Sequence, residues 1–78
     1  MILITGGAGY IGSHCAINFL KSGHEIIIFD NLENGHIETI EILQKLGKVH
    51  FIKGDLKNLE DTENVFKTFE IDTVIHFA

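Results

Sequence analysis

Near the start of the chain, in MILITGGAGYIGSH, four glycines fall within seven positions: Gly6, Gly7, Gly9 and Gly12. Gly7, Gly9 and Gly12 satisfy the spacing G-x-G-x-x-G, a short pattern that acquires meaning from its neighbours. The apolar run that ends at Thr5 suits a buried parallel strand. From Tyr10 to Ser22, apolar side chains recur at Ile11, Cys15, Phe19 and Leu20, with Gly23 placed to end a helix. A glycine turn between a strand and a helix aims the helix's unbonded N–H groups at whatever stands in front of it, and an anion is the natural occupant. Gly6 and Gly7 permit the tight turn, Gly9 lets a pyrophosphate approach the backbone, and Gly12 lets the helix pack closely. The backbone amides near Tyr10 and Ile11 are the expected donors.

Two aspartates extend this chemistry. Asp30 ends the apolar segment EIIIFD, eighteen positions after Gly12, where a carboxylate can accept hydrogen bonds from an adenosine ribose. It would repel a ribose 2′-phosphate, and the chain contains no arginine to receive one, so NAD is expected rather than NADP. Asp55 ends the third apolar segment, VHFIKGD. Its carboxylate can accept from the exocyclic amine of an adenine while the Leu56 N–H donates to a ring nitrogen. An ordinary loop aspartate after Gly54 fits that position equally well.

The other reactive residues carry no comparable pattern. His14 falls in the first helix, His24 and His36 beside loops, and His50 and His76 on strands, without metal-ligand spacing. They are read as surface or packing residues, and no metal is expected. Cys15 is the single cysteine, which excludes an intramolecular disulfide, and it reads as a small buried apolar residue.

These residues must be held by a regular alternation. Apolar segments at Met1 to Thr5, Glu25 to Asp30, Val49 to Asp55 and Asp72 to Ala78 alternate with three helical patterns. The second pattern carries Ile37, Ile40, Leu43 and Leu46 and stops at Gly47. The third is capped by Asn58 with Asp61 three positions on, and presents Leu59, Thr62, Phe66 and Phe69 along one stripe. The order β-α-β-α-β-α-β with right-handed crossovers gives a parallel sheet ordered 3-2-1-4, half of a doubly wound α/β fold. The chain of 78 residues stops at the end of the fourth strand, so a piece of a larger domain is expected.

Composition narrows the function classes. With 45% hydrophobic and 22% charged residues the chain is globular. A net charge of −5, with its six basic residues all lysines scattered from Lys21 to Lys67, argues against a nucleic-acid surface. There is no basic leader and the apolar runs are strand-sized, so no membrane partner and a cytoplasmic location are expected.

Together, TGGAGYIGSH at residues 5 to 14, DNLENG at 30 to 35, GDL at 54 to 56 and VIHFA at 74 to 78 resemble the extended short-chain dehydrogenase/reductases. Within that family they resemble the branch that epimerises UDP-glucose and UDP-galactose at C4. The resemblance covers the whole chain but only about the first quarter of a typical member. It implies that residues 1–78 are the N-terminal half of an NAD(P)-binding Rossmann domain. It further implies that Tyr10 and Ile11, with Gly6, Gly9 and Gly12, meet the pyrophosphate, and that Asp30, Asn31, Asn34 and Gly35 surround the adenosine ribose and adjoining phosphate. Asp55 and Leu56 would hold adenine, and Phe77 and Ala78 would begin a loop beside the cofactor. Gly35 stands where such enzymes often carry serine.

The implied activity is transient oxidation at sugar C4 by NAD in a homodimeric, cytoplasmic enzyme with a UDP-sugar substrate. Its Ser or Thr and its Tyr-x-x-x-Lys pair have no counterpart in this chain, where Tyr10 is the only tyrosine. No catalytic residue is therefore assigned, and the segment alone is expected to be inactive. The alternatives are another NAD-dependent nucleotide-sugar dehydratase, decarboxylase or epimerase, or a noncatalytic nucleotide-binding module.

Overall fold

The three isoleucines Ile26, Ile27 and Ile28 are all fully buried. Consecutive side chains of a strand point to opposite faces, so this strand must be covered on both. In a computed structural model that describes residues 1–33 and 35–77, it is β2 (Ile26–Asp30), next to the equally buried β1 (Ile2–Thr5). The half-buried β3 (Val49–Lys53) and the largely exposed β4 (Thr73–His76) complete a parallel sheet ordered β3-β2-β1-β4, as expected. Strand identity follows from the β-branched residues, and burial follows from central position.

The two faces have separate cores. Ile2, Ile4, Ile26 and Ile28 pack with Ala16 and Leu20 of α1 (Tyr10–Lys21) and with Ile40 and Leu43 of α2 (Ile37–Leu46). Leu3, Ile27 and Phe29 on the reverse face pack with Val65 of α3 (Leu59–Thr68). Burying a side chain of this size contributes about 1.5–3 kcal/mol relative to leaving it in water.

Two sequence expectations for the helices need correction. The buried line of α1 is Gly12, Ala16 and Leu20, while Ile11 stays 66% exposed and Cys15 only partly covered. Ala16 and Leu20 of that line pack into the core, and Gly12 faces the glycine turn. On α3 the anchor is Val65, whereas Leu59 and Phe66 are largely exposed. At 100° per residue, Thr62 and Phe69 lie about 60° and 40° round the helix from Val65, whereas Phe66 and Leu59 lie about 100° and 120° away, off the buried line.

The close approach of α1 is decided at Gly12. A Cβ there would meet the Gly6 carbonyl oxygen and lie 2.9 Å from the Gly7 Cα, so Gly12 fits the helix against the glycine turn itself rather than against the sheet. Alanine would gain about 1 kcal/mol of helix propensity. The overpacking is against backbone that cannot rotate away, and costs about 3 kcal/mol. Gly12→Ala is expected to destabilise by about 2 kcal/mol net, read from the urea midpoint, and an unchanged midpoint would refute the packing role.

At the opposite edge of the sheet, His50 Nε2 and Glu25 Oε2 are 2.5 Å apart, and the His50 ring also rests on Phe69. The hydrogen bond with His50 holds the Glu25 carboxyl below its ordinary 4.5, with charge attraction from His50, Lys48 and the chain terminus adding to it and desolvation opposing. A pKa lower in the folded than in the unfolded chain stabilises above the unfolded value, and that contribution is lost as pH falls through the folded value. The urea midpoint should therefore fall less steeply in Glu25→Gln than in the wild type below about pH 4.5. Parallel pH profiles would exclude the linkage.

Candidate dinucleotide site

The carboxyl ends of the four strands open onto one cavity of about 420 Å³, the size of small-molecule sites in general. It lies where the order reverses: β2 and β3 go to one side of β1 and β4 to the other. Gly6 and Gly9 line it at the glycine turn, Asp30, Asn31 and Gly35 along the loop after β2, and Asp55, Leu56 and Phe77 from the next two strand ends.

Gly6 takes φ +75°, a conformation open chiefly to glycine, and its N–H donates to the Phe29 carbonyl at 3.0 Å. The turn closes with Gly9 N–H on the Gly6 carbonyl, and α1 begins with Ser13 N–H on the Gly9 carbonyl. Gly9 caps α1 without a side-chain hydrogen bond, and the first turn holds no acid. The Tyr10 and Ile11 amides have no backbone acceptor among the described residues. The positive end of the helix dipole is thus left for a ligand. In contrast, Asn58 caps α3 by accepting from the Asp61 N–H, with Glu60 and Asp61 in its first turn. The Tyr10 and Ile11 side chains do not line the cavity; Tyr10 is 80% exposed with its ring edge-on to His14. Only their backbone is available to an anion in front of the turn.

Asp30 is 9% exposed and does more than face the cavity. Its Oδ2 accepts from the Ala8 N–H at 3.0 Å and its Oδ1 from the Leu32 N–H at 2.8 Å. One carboxylate therefore ties the glycine turn to the loop after β2, with further lone pairs on both oxygens for ribose hydroxyls. Leu32 takes φ +63°, a strained conformation for leucine that this bond and its packing on the core help to hold. Asn31 turns its amide to Glu33, accepting from the Glu33 N–H at 2.9 Å. Gly35 is pressed on Ala8: a Cβ would lie 2.7 Å from the Ala8 Cβ, so only its backbone can serve a ligand in this packing. Asn34 and Ala78, also named from the sequence, lie outside the described residues.

Asp55 sits in a tight turn in which its Oδ1 accepts from the Lys57 N–H at 2.9 Å and its carbonyl from the Asn58 N–H at 2.9 Å. The loop-aspartate geometry is therefore realised, and the second carboxylate oxygen is left for a ligand. Leu56 is 38% exposed at the cavity wall.

Some of the wall was not apparent in the sequence. Phe29, Gly54 and His76 adjoin Asp30, Asp55 and Phe77 at strand ends, a position the strand boundaries could have supplied. His76, expected as a packing or surface residue, places its Nδ1 2.6 Å from the Thr5 Oγ1, and the Phe77 N–H donates to the Thr5 carbonyl at 2.9 Å. These two bonds join the exit of β4 to the start of the glycine turn. Glu33 and Lys57 also line the cavity, which then carries Asp30, Glu33 and Asp55 against Lys57. A phosphate must find its counter-charge mainly in the N-terminus of α1. No group of metal-ligating side chains occurs among the described residues, and no described helix is long and apolar enough to cross a membrane.

Comparison with known proteins agrees with this arrangement. The chain is 47% identical over 79 residues to UDP-glucose 4-epimerase of Bacillus subtilis, covering 99% of this chain and 23% of that protein. Among solved structures it superposes on UDP-glucose 4-epimerase from Bifidobacterium longum in complex with NAD+ and UDP, with TM-score 0.94 and 37% identity over 99% of this chain and 24% of that one. It also resembles dTDP-glucose 4,6-dehydratase from Bacillus anthracis in complex with NAD, with TM-score 0.88 and 36% identity over 99% of this chain and 26% of that one. The chain thus spans about a quarter of the length of these proteins. The sequence profile of the NAD dependent epimerase/dehydratase family matches residues 2–78, and with the 3-2-1-4 sheet and the glycine turn this places the chain in that family.

Proposed function

We propose that this chain forms the adenosine-diphosphate half of an NAD site in a nucleotide-sugar 4-epimerase that interconverts UDP-galactose and UDP-glucose. The observation that carries the reading is the uncapped α1 N-terminus facing the same cavity as Asp30. Its fit to a dinucleotide rests on the unbonded amides, the room in front of Gly9, and the acceptor capacity left on Asp30.

Tyr10 and Ile11 would donate backbone N–H groups to the pyrophosphate, with Gly6, Gly9 and Gly12 shaping the turn. Asp30 would accept from the adenosine ribose while holding the turn through Ala8. Asn31, Asn34 and the Gly35 backbone would complete the ribose side, Asp55 and Leu56 would take adenine, and Phe77 and Ala78 would lead into the cofactor-side loop. NAD bound there would supply reversible hydride transfer at C4 of the sugar. We assign the acid-base groups to a longer polypeptide of which residues 1–78 are the N-terminal part of the Rossmann domain. Tyr10 is the chain's only tyrosine and has His14, not lysine, four positions on. A UDP-sugar, a homodimeric assembly and a cytoplasmic setting belong to the same reading.

The similarity to an NAD-bound dTDP-glucose 4,6-dehydratase supports a second reading, in which the fold is kept and the sugar chemistry differs. Incubating the full-length protein with UDP-galactose separates them: UDP-glucose is expected as product, and its absence alongside turnover of dTDP-glucose would favour the dehydratase. For the cofactor, Asp30→Asn should weaken NAD binding by about tenfold while narrowing the preference for NAD over NADP, because the repulsion of a 2′-phosphate is reduced. Unchanged affinity for both dinucleotides would remove Asp30 from the site.

A further inference from the structure

The turn proposed to read adenine is held by a side chain that lines none of the cavity. Asp61, in the first turn of α3, reaches back so that its Oδ2 accepts from the Asp55 N–H at 3.2 Å, and the same oxygen lies 3.2 Å from where a Cβ on Gly54 would stand. The Asp61 N–H in turn donates to the Asn58 Oδ1 at 3.2 Å, and the Asn58 N–H donates to the Asp55 carbonyl at 2.9 Å. In an ordinary capping box the acidic side chain returns to the N-cap amide. Here it passes the N-cap and takes the amide three residues earlier, so the helix start and the strand exit close into one hydrogen-bonded ring. Thr62 Oγ1 adds a bond to the Asn58 carbonyl at 3.1 Å.

We infer that Asp61 is a positioning residue for nucleobase recognition: it fixes the Asp55 and Leu56 backbone so that a carboxylate oxygen and an N–H meet the edge of adenine together. The inference rests on the dinucleotide reading above. A two-point contact of this kind discriminates between bases only if donor and acceptor keep a fixed separation. With Asp61 removed, the Asp55 amide loses its acceptor and the turn is held by its internal bonds to Lys57 and Asn58 and by the long bond from Thr62 Oγ1 to the Leu56 carbonyl at 3.5 Å. Phosphate and ribose contacts, made by other loops, would be spared.

The test compares the affinity of the full-length protein for NAD and for nicotinamide hypoxanthine dinucleotide, in which a carbonyl replaces the exocyclic amine of adenine. The wild type should prefer NAD. Asp61→Ala should weaken NAD binding by about three- to tenfold, the range expected for a lost hydrogen bond, while leaving the hypoxanthine analogue within about twofold, so that the preference collapses. Asp61→Asn, which keeps a carbonyl acceptor, should restore it. Should Asp61→Ala fail to fold, Asp61→Leu supplies a second acceptor-free variant of larger volume. Equal losses on both dinucleotides, no loss at all, or a folded wild type that binds NAD without distinguishing the two bases would each overturn the inference. A folded wild type that binds neither dinucleotide would instead overturn the dinucleotide reading itself.

Discussion

The Asp30 carboxylate is the junction on which the cavity depends. It ends the fully buried β2 and receives backbone N–H groups from Ala8 in the glycine turn and from Leu32 in the next loop. Hydrogen bonds to an ionised acceptor are about twice as strong as neutral ones, and a nearly buried carboxylate needs them to offset its desolvation. The two loops, one after β1 and one after β2, are thereby fixed relative to each other. Asp30 also lines the cavity, and each oxygen keeps a further lone pair, so holding the fold does not exhaust its acceptor capacity.

The sheet supplies the frame that makes this junction possible. Because β1 and β2 are covered on both faces, they are almost wholly apolar, and polar chemistry is pushed to their carboxyl ends. Thr5, Asp30, Lys53 and His76 mark where each strand leaves the core. The register places Thr5 beside Phe29 and His76, which brings the exits of three strands to one edge. The charge at that edge is mostly negative, so attraction for a phosphate must come from oriented peptide dipoles. α1 starts without an acid or a capping side chain, and α3 starts with both. Two helices of similar length therefore present opposite electrostatic faces at their N-termini.

Much of this was legible in the residues. The alternation of strands and helices, the sheet order, the uncapped glycine turn, and the Asn58 cap follow from hydrophobic period and local turn chemistry. The packed stripe on α1 was not: apolar type suggested Ile11 and Cys15, whereas close contact with the turn selects Gly12, and the core takes Ala16 and Leu20 on the same line. On α3 the stripe was displaced for a related reason, since Val65 alone reaches the reverse-face core of Leu3, Ile27 and Phe29 deeply enough to be buried.

For β1 and β2 the sequence by itself determined which residues stand at the strand ends, because burial on both faces leaves a parallel strand no other place for its polar residues. It also determined that the first helix begins at a bare glycine turn, since backbone conformation and capping depend on neighbours a few positions away. Only the tertiary structure decided which of those ends meet. The Ala8 to Asp30, Thr5 to His76 and Gly35 to Ala8 contacts join residues brought together by strand register and loop packing. Such contacts leave no periodic trace in the chain, because a hydrogen bond between distant residues constrains the two partners and not the residues between them.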